Sequence, residues 1–337
     1  MFIFVMTPGK KRLFLLCLVL LFTFFAFRGF IYRTFIQEKV QPDVYFLNIN
    51  MGTLSQKDVE EIVAFHIGEW QVNPVDADYN EKEHTITPEI WGYRANVEKT
   101  VQKIFQASTG ERVNPYLEII LPEISMNDYP SAVILRGNPV KESVAFMINV
   151  AWGTEHLIPL MDALASHDAK GSFFLVGKWA EENEPLVREI INQGHLVGNH
   201  GHTDVKVITE IDPDELREGL ENFNVYLETL TKSPVSFFTP HKGEYNQHAL
   251  EIISRLGMRT LLWSVDTIDW MEPGVDAMHA RVLEKVHPGA IILMHPTRDT
   301  VIFVENILPA LKKKGLSVVS VEELLNPDIF PEPLPGG

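Results

Sequence analysis

Gly194-His195-Leu196-Val197-Gly198-Asn199-His200-Gly201-His202-Thr203-Asp204 runs out of an apolar segment into a polar turn. His200 and Asp204 stand four apart, a spacing that lets two side chains converge on one point in a helical turn or a tight loop. Neutral imidazole with a carboxylate is a ligand pair for zinc and other divalent first-row ions. The same pair also serves to cap and hydrogen-bond a surface loop, and the eleven residues alone leave both readings open. Their place between apolar runs decides the architecture.

Working outward, strands alternate with helices. Val144 to Val150 reads as a buried strand and Leu157 to His167 as a helix with Leu157, Leu160, Met161 and Leu164 aligned. Gly171 to Val176 is a strand, Glu184 to Asn192 a helix, Leu196 to Asn199 a strand, and Pro213 to Leu230 a long helix opened by acidic residues. Ser236 to Phe238, Thr260 to Val265, Ala290 to Met294 and Leu316 to Val321 are further strands. Between them run helices over Gln247 to Leu256, Asp276 to Val286 and Val301 to Lys314. Serial βα units mean a parallel sheet. So many in so short a stretch predict a closed barrel rather than an open doubly wound sheet. Barrel chemistry sits where strands end, and polar motifs follow Val150, Val197, Phe238, Val265 and Met294.

The N-terminus reads differently. Lys10-Lys11-Arg12 precedes the apolar run Leu13 to Phe27, which resumes after Arg28. Stretched to about twenty residues by snorkelling of Arg28, it is long enough to cross a bilayer. No small-x-small cleavage site follows, so an uncleaved anchor is expected, with the N-terminus cytoplasmic and the remainder outside. Between anchor and barrel, Val44 to Asn50 has strand composition, and Ser55-x-x-Asp58 is a near capping box opening a helix with Val59, Ile62, Val63 and His66 on one face. Thr85 to Gly92 and Leu117 to Leu121 are strand-like, and Val97 to Ala107 is amphipathic. The expected organisation is a basic segment 1–12, a transmembrane anchor 13–32, a small α+β module 43–121, a proline-marked linker 122–141, a barrel domain 142–326 and a tail 327–337.

The 337 residues are 45% hydrophobic and 22% charged, the composition of a globular protein. The formal charge of -16 argues against nucleic acid as a partner, since phosphate binding needs clustered Lys and Arg. The single cysteine, Cys17, excludes a disulfide framework within the chain.

Phe173-Phe174-Leu175-Val176-Gly177-Lys178, Gly194 to His200, Leu262-Trp263-Ser264-Val265-Asp266-Thr267-Ile268-Asp269-Trp270 and Leu293-Met294-His295 together resemble the polysaccharide deacetylases, the NodB-homology domain of carbohydrate esterase family 4. With the anchor, the module and the Leu293-Met294-His295-Pro296-Thr297 ending, the chain is most similar to the family's membrane-anchored, sporulation-associated YlxY-like subgroup. The module itself resembles peptidoglycan-binding domains found beside cell-wall enzymes, and a structural spacer is the alternative. The resemblance implies a distorted (β/α) barrel that removes N-acetyl groups from amino-sugar polymers such as peptidoglycan, with a divalent metal, zinc foremost, as cofactor. Such hydrolysis needs a metal to polarise the carbonyl, a base for the water and an acid for the departing amine.

By the same resemblance His295 is the general acid, Asp269 orients it, Trp270 walls the sugar site and His200 is the first metal histidine. The family's opening motif, Thr-Phe-Asp-Asp-Gly, is replaced by Asn149-Val150-Ala151-Trp152-Gly153. Ala151 stands at the base and Trp152 at the metal carboxylate, where an indole stacks on sugars but cannot ligate. Asp204 stands at the second metal histidine. The Arg-Pro-Pro-Tyr-Gly motif has become Thr239-Pro240-His241-Lys242-Gly243, in which Pro240 is assigned to the substrate groove. Glu155, three residues beyond Trp152, offers a replacement ligand, giving an expected triad of Glu155, His200 and Asp204. Glu155 is equally read as a carboxylate favoured by the helix beginning at Leu157. His202 is a backup ligand, His195 structural, and Asp266 a stabiliser of the strand end.

Two main functional readings follow, with a weaker third. One is a metal-dependent carbohydrate N-deacetylase with a rebuilt metal site, favoured by an intact His295 and Asp269. The other is a pseudoenzyme that keeps the sugar groove and acts as a wall-binding protein or scaffold, favoured by Trp152. A different amide or ester hydrolase is a third.

Overall fold

The computed structural model describes Leu21, Thr23, 39–68 and 70–329. Its barrel part is built on β1 (Ser143–Val150), β2 (Ser172–Leu175), β3 (Leu196–Asn199), β4 (Phe237–Phe238), β5 (Arg259–Thr260), β6 (Val265–Asp266), β7 (Ile291–Met294) and β8 (Ser317–Val319). The sheet runs β5-β4-β3-β2-β1-β7-β6, all parallel, and β8 pairs with the first residues of β1. That is the circular order of a barrel cut between β5 and β6. The expected closed barrel is therefore a curled half-barrel. The stretch read as one strand, Thr260 to Val265, splits into β5 and β6, and the residues between them form the seam.

All eight residues of β1 are buried, because both faces of a parallel strand are covered. Val144, Phe146, Ile148 and Val150 face the helices, whereas Ala145 and Met147 face the barrel interior with Phe174, Phe237 and Ile291. The helices are α1 (Leu157–Ala165), α2 (Gly177–Glu182), α3 (Glu184–Asn192), α4 (Pro213–Thr231), α5 (Gln247–Arg255), α6 (Val275–Lys285), α7 (Arg298–Lys313) and α8 (Val321–Leu325). Their starts follow from local chemistry. Asp212 accepts from the Asp214 and Glu215 amides ahead of Pro213, and Asn246 accepts from Ala249 N–H at 2.8 Å. Thr297 accepts from Thr300 N–H at 3.0 Å, which fixes the turn directly after His295.

By contact the described chain separates into two compact units, 39–72 with 93–119, and 73–92 with 120–329. The segment read as a linker is built into the second. Ala132, Val133 and Ile134 are fully buried, Ile134 pairs with Leu261, and Arg136 with Ala290. Residues 132–136 thus lie along the open side of the half-barrel and supply backbone partners to its seam. The hairpin Asp78–Asn80/Thr85–Thr87, read with the small module, packs here too: Ile86 N–H donates to Val133 O at 2.9 Å.

In the first unit, Ser55 and Asp58 form the capping box of helix Gln56–Ile67. Val44 to Asn50 is a hairpin rather than one strand, because Leu47 and Asn48 turn it in the left-handed region. Among the described residues no helix is long and apolar enough to cross a membrane. Apart from Leu21 and Thr23, the anchor expected at 13–32 lies outside the described residues, as does the tail beyond 329.

Candidate functional site

The strand ends of the half-barrel surround a cavity of about 600 Å³. Asn149, Ala151 and Trp152 enter from the end of β1, His200 and Asp204 from the end of β3, and His241 and Lys242 from the turn after β4. Trp263, Asp266, Trp270, Leu293 and His295 complete the lining from the seam, β6 and β7. His200 and His295 thus share one hollow.

On the β6–β7 side both oxygens of the Asp269 carboxylate are partnered. Asp269 is 1% exposed. One carboxylate oxygen accepts Nδ1–H of His295 at 2.8 Å; the other accepts the His295 backbone N–H at 2.5 Å and the Thr300 hydroxyl at 2.8 Å. The short turn carrying Asp269 is flanked by Ile268 at φ 57° and Glu272 at φ 52°. A β-branched residue there is strained. Asp266, whose carboxylate accepts from Ile268 N–H at 2.8 Å, holds the turn, so it supports the strand end and lines the cavity as well. Burial pushes its carboxyl above the usual range.

The opposite side is built otherwise. His200 is buried, and its Nδ1–H donates to Thr239 O at 2.7 Å, leaving the Nε2 lone pair. Its ring lies against His241, centroids 4.1 Å apart. Burial and the neighbouring His241 hold His200 well below the usual imidazole range. Burial lowers His241 too, against the pull of Asp204. Trp152 lies parallel to His295, with 6° between planes and 5.9 Å between centroids. The tight turn beside it needs glycine: Gly153 has φ +74°, and a Cβ there would meet Pro296 O at 2.0 Å. Trp152 and Trp270 are 45% and 56% exposed, apolar surface turned to solvent.

Of the expected site residues, His295, Asp269, His200, Asp204, Trp152 and Trp270 gather around this hollow, Asp269 from beneath His295. Glu155 does not. It lines a neighbouring cavity of about 390 Å³ with His156, Glu272 and Arg298, and its carboxylate lies 3.6 Å from His156 Nε2. The expected triad Glu155–His200–Asp204 is therefore corrected: the turn at Gly153 carries Glu155 past the hollow. Pro240 caps the turn His241–Gly243 and is buried, while its neighbours His241 and Lys242 line the cavity. His202 packs against Gly177 rather than the cavity. His195 is buried at the other end of β3, its Nδ1 accepting from Gly171 N–H at 3.1 Å.

Sequence reasoning passed over Asn149, His241 and Trp263. Their signal was position alone, each beside a strand end.

A catalytic zinc takes three protein ligands. His200 presents a suitable lone pair and Asp204 a carboxylate at the rim. The third position holds an indole, which only donates. Among the described residues no group of three His, Cys, Asp or Glu side chains converges on one point. The donor set does not fit a catalytic metal.

The pattern of the polysaccharide deacetylase family matches residues 136–261. The chain is 32% identical to YlxY of Bacillus subtilis over 276 residues, 81% of this chain and 85% of that one. It is 30% identical to a peptidoglycan-N-acetylglucosamine deacetylase of Bacillus cereus, over 55% of this chain and 68% of that protein. A CE4 family pseudoenzyme from Bacillus anthracis superposes with a TM-score of 0.68 at 32% identity, covering 80% of this chain and 95% of that one. With its curled parallel sheet and the His295–Asp269 pair at the strand ends, the chain belongs to the polysaccharide deacetylase family, carbohydrate esterase family 4.

Proposed function

We infer that this protein binds amino-sugar polymer of the cell wall in the tryptophan-lined hollow and has lost the metal-dependent hydrolysis of its family. A single observation carries the reading: Trp152 stands where a metal carboxylate is expected and lies flat beside His295. An indole there removes a ligand and adds a stacking face for the apolar side of a pyranose. The hollow has the size of a small-molecule site, with three tryptophans in its wall and polar side chains between them. Ala151 offers no base. The similarity to a protein described as a CE4 pseudoenzyme, and to a peptidoglycan deacetylase, supports the polymer class and the loss of activity. In this reading residues 13–32 anchor the chain, the folded units stand outside the cell, and the module expected at 43–121 adds wall contacts.

The test has two arms. Purified protein is assayed for zinc, and soluble acetylated amino-sugar oligomers are titrated against tryptophan fluorescence. Saturable binding without stoichiometric metal is expected. Stoichiometric zinc, lost in Asp204→Ala and accompanied by acetate release, overturns the reading. The intact His295–Asp269 pair favours that second reading, an active N-deacetylase.

A further inference from the structure

Two buried polar atoms at the floor of the hollow have no hydrogen-bond partner. Asn149 is 5% exposed and its Oδ1 has no hydrogen-bond partner. His241 is 8% exposed and its Nε2 has no partner. His200, which also lines the hollow, donates Nδ1–H to the Thr239 carbonyl and so keeps a lone pair on Nε2. Buried acceptors left unpaired are unfavourable and call for a donor-bearing ligand.

The charges point the same way. Asp204 puts a carboxylate where the family resemblance expects a neutral imidazole, and Asp266 lines the same hollow. Lys242 is the opposing cation and is exposed. Trp152, Trp263 and Trp270 form the walls. Indole faces around a carboxylate and neutral acceptors are the elements that recognise an ammonium group. An acetamido group suits the hollow less well, since it brings no positive charge to meet the Asp204 carboxylate.

We propose that the hollow recognises the 2-ammonium group of de-N-acetylated amino sugars in preference to the acetamido form. The protein then reads the product of deacetylation rather than its substrate. This rests on the carbohydrate-binding reading and deepens it.

The test titrates the full-length chain with an N-acetylglucosamine hexamer, the glucosamine hexamer and spermine, at moderate salt and mildly acidic pH. The glucosamine hexamer should bind about 10-fold tighter than its acetylated form, the scale of one desolvated cation–π contact. Asp204→Asn should cut that preference at least ~3-fold. Equal affinity, or tighter binding of the acetylated hexamer, overturns the proposal while the carbohydrate-binding reading stands. Spermine matching the glucosamine hexamer, with Asp204→Asn without effect, also overturns it, because the chain's net charge of -16 then accounts for the attraction. If neither hexamer binds, the carbohydrate reading falls and takes the proposal with it.

Discussion

The two sides of the hollow share one half-barrel and have kept different things. On the β6–β7 side Asp269 is buried beneath three donors from His295 and Thr300. On the β1–β3–β4 side Ala151, Trp152 and Asp204 line the hollow without such ties, and the buried His241 Nε2 has no partner. A carboxylate that ties strand ends together cannot leave without orphaning buried donors. One that only faced a ligand can be replaced at little structural expense. Survival of the His295–Asp269 pair therefore has a structural explanation and need not report catalysis.

That contrast is testable, and the largest expected effect is a gain. Ala151→Asp with Trp152→Asp and Asp204→His restores a base and a ligand set to the open side. Zinc-dependent acetate release should rise at least ~10²-fold over the native chain, the scale of a general base. A variant that binds zinc stoichiometrically and stays inert would show that the retained side is not catalytically competent.

Next is stability. Asp269→Ala should destabilise the fold by about 3 kcal/mol in urea unfolding, the scale of a broken buried pair. Asp204→Ala should shift it by less than about 0.5 kcal/mol, as for an exposed residue. Comparable losses in the two variants would erase the distinction between the sides.

The histidines sharpen the comparison through pH. Burial, with Lys170 nearby, pushes His195 down to about 4, and His200 and His241 are lowered too. Unfolded imidazoles protonate near the ordinary 6.5. Below that value the unfolded chain binds protons the native chain refuses, so stability should fall as pH drops. For His195 the loss should level off near pH 4. Melting temperature across this window reads it, and His195→Phe should flatten the curve. A profile unchanged by that substitution would contradict the burial argument.

The smallest effect concerns the walls. Trp270→Ala should weaken oligosaccharide binding ~5-fold, within the range of one aromatic contact, with melting temperature unchanged. An unaltered affinity would move the sugar elsewhere.

Most of the architecture was legible because apolar periodicity and caps are local. Glu184 to Asn192 and Leu196 to Asn199 stand where their patterns placed them. The split of Thr260 to Val265 was not legible. Leu261, Leu262 and Trp263 continue the apolar run, and only pairing with Ile134 from a stretch rich in proline shows that the strand breaks there. Of the site, His295 with Asp269 was found through motifs, whereas Glu155 was misplaced. Three residues along a turn say nothing about which side of a wall a side chain reaches, and the left-handed Gly153 decides it.

The sequence by itself determined the serial βα plan, the family, and the absence of carboxylates at positions 151 and 152, because composition and spacing are written in the chain. Only the tertiary structure decided which polar atoms remain unpaired. Hydrogen bonding at His200 and Asp269 depends on partners dozens of residues away, and burial turns those pairings into the difference between a structural clamp and an open binding surface.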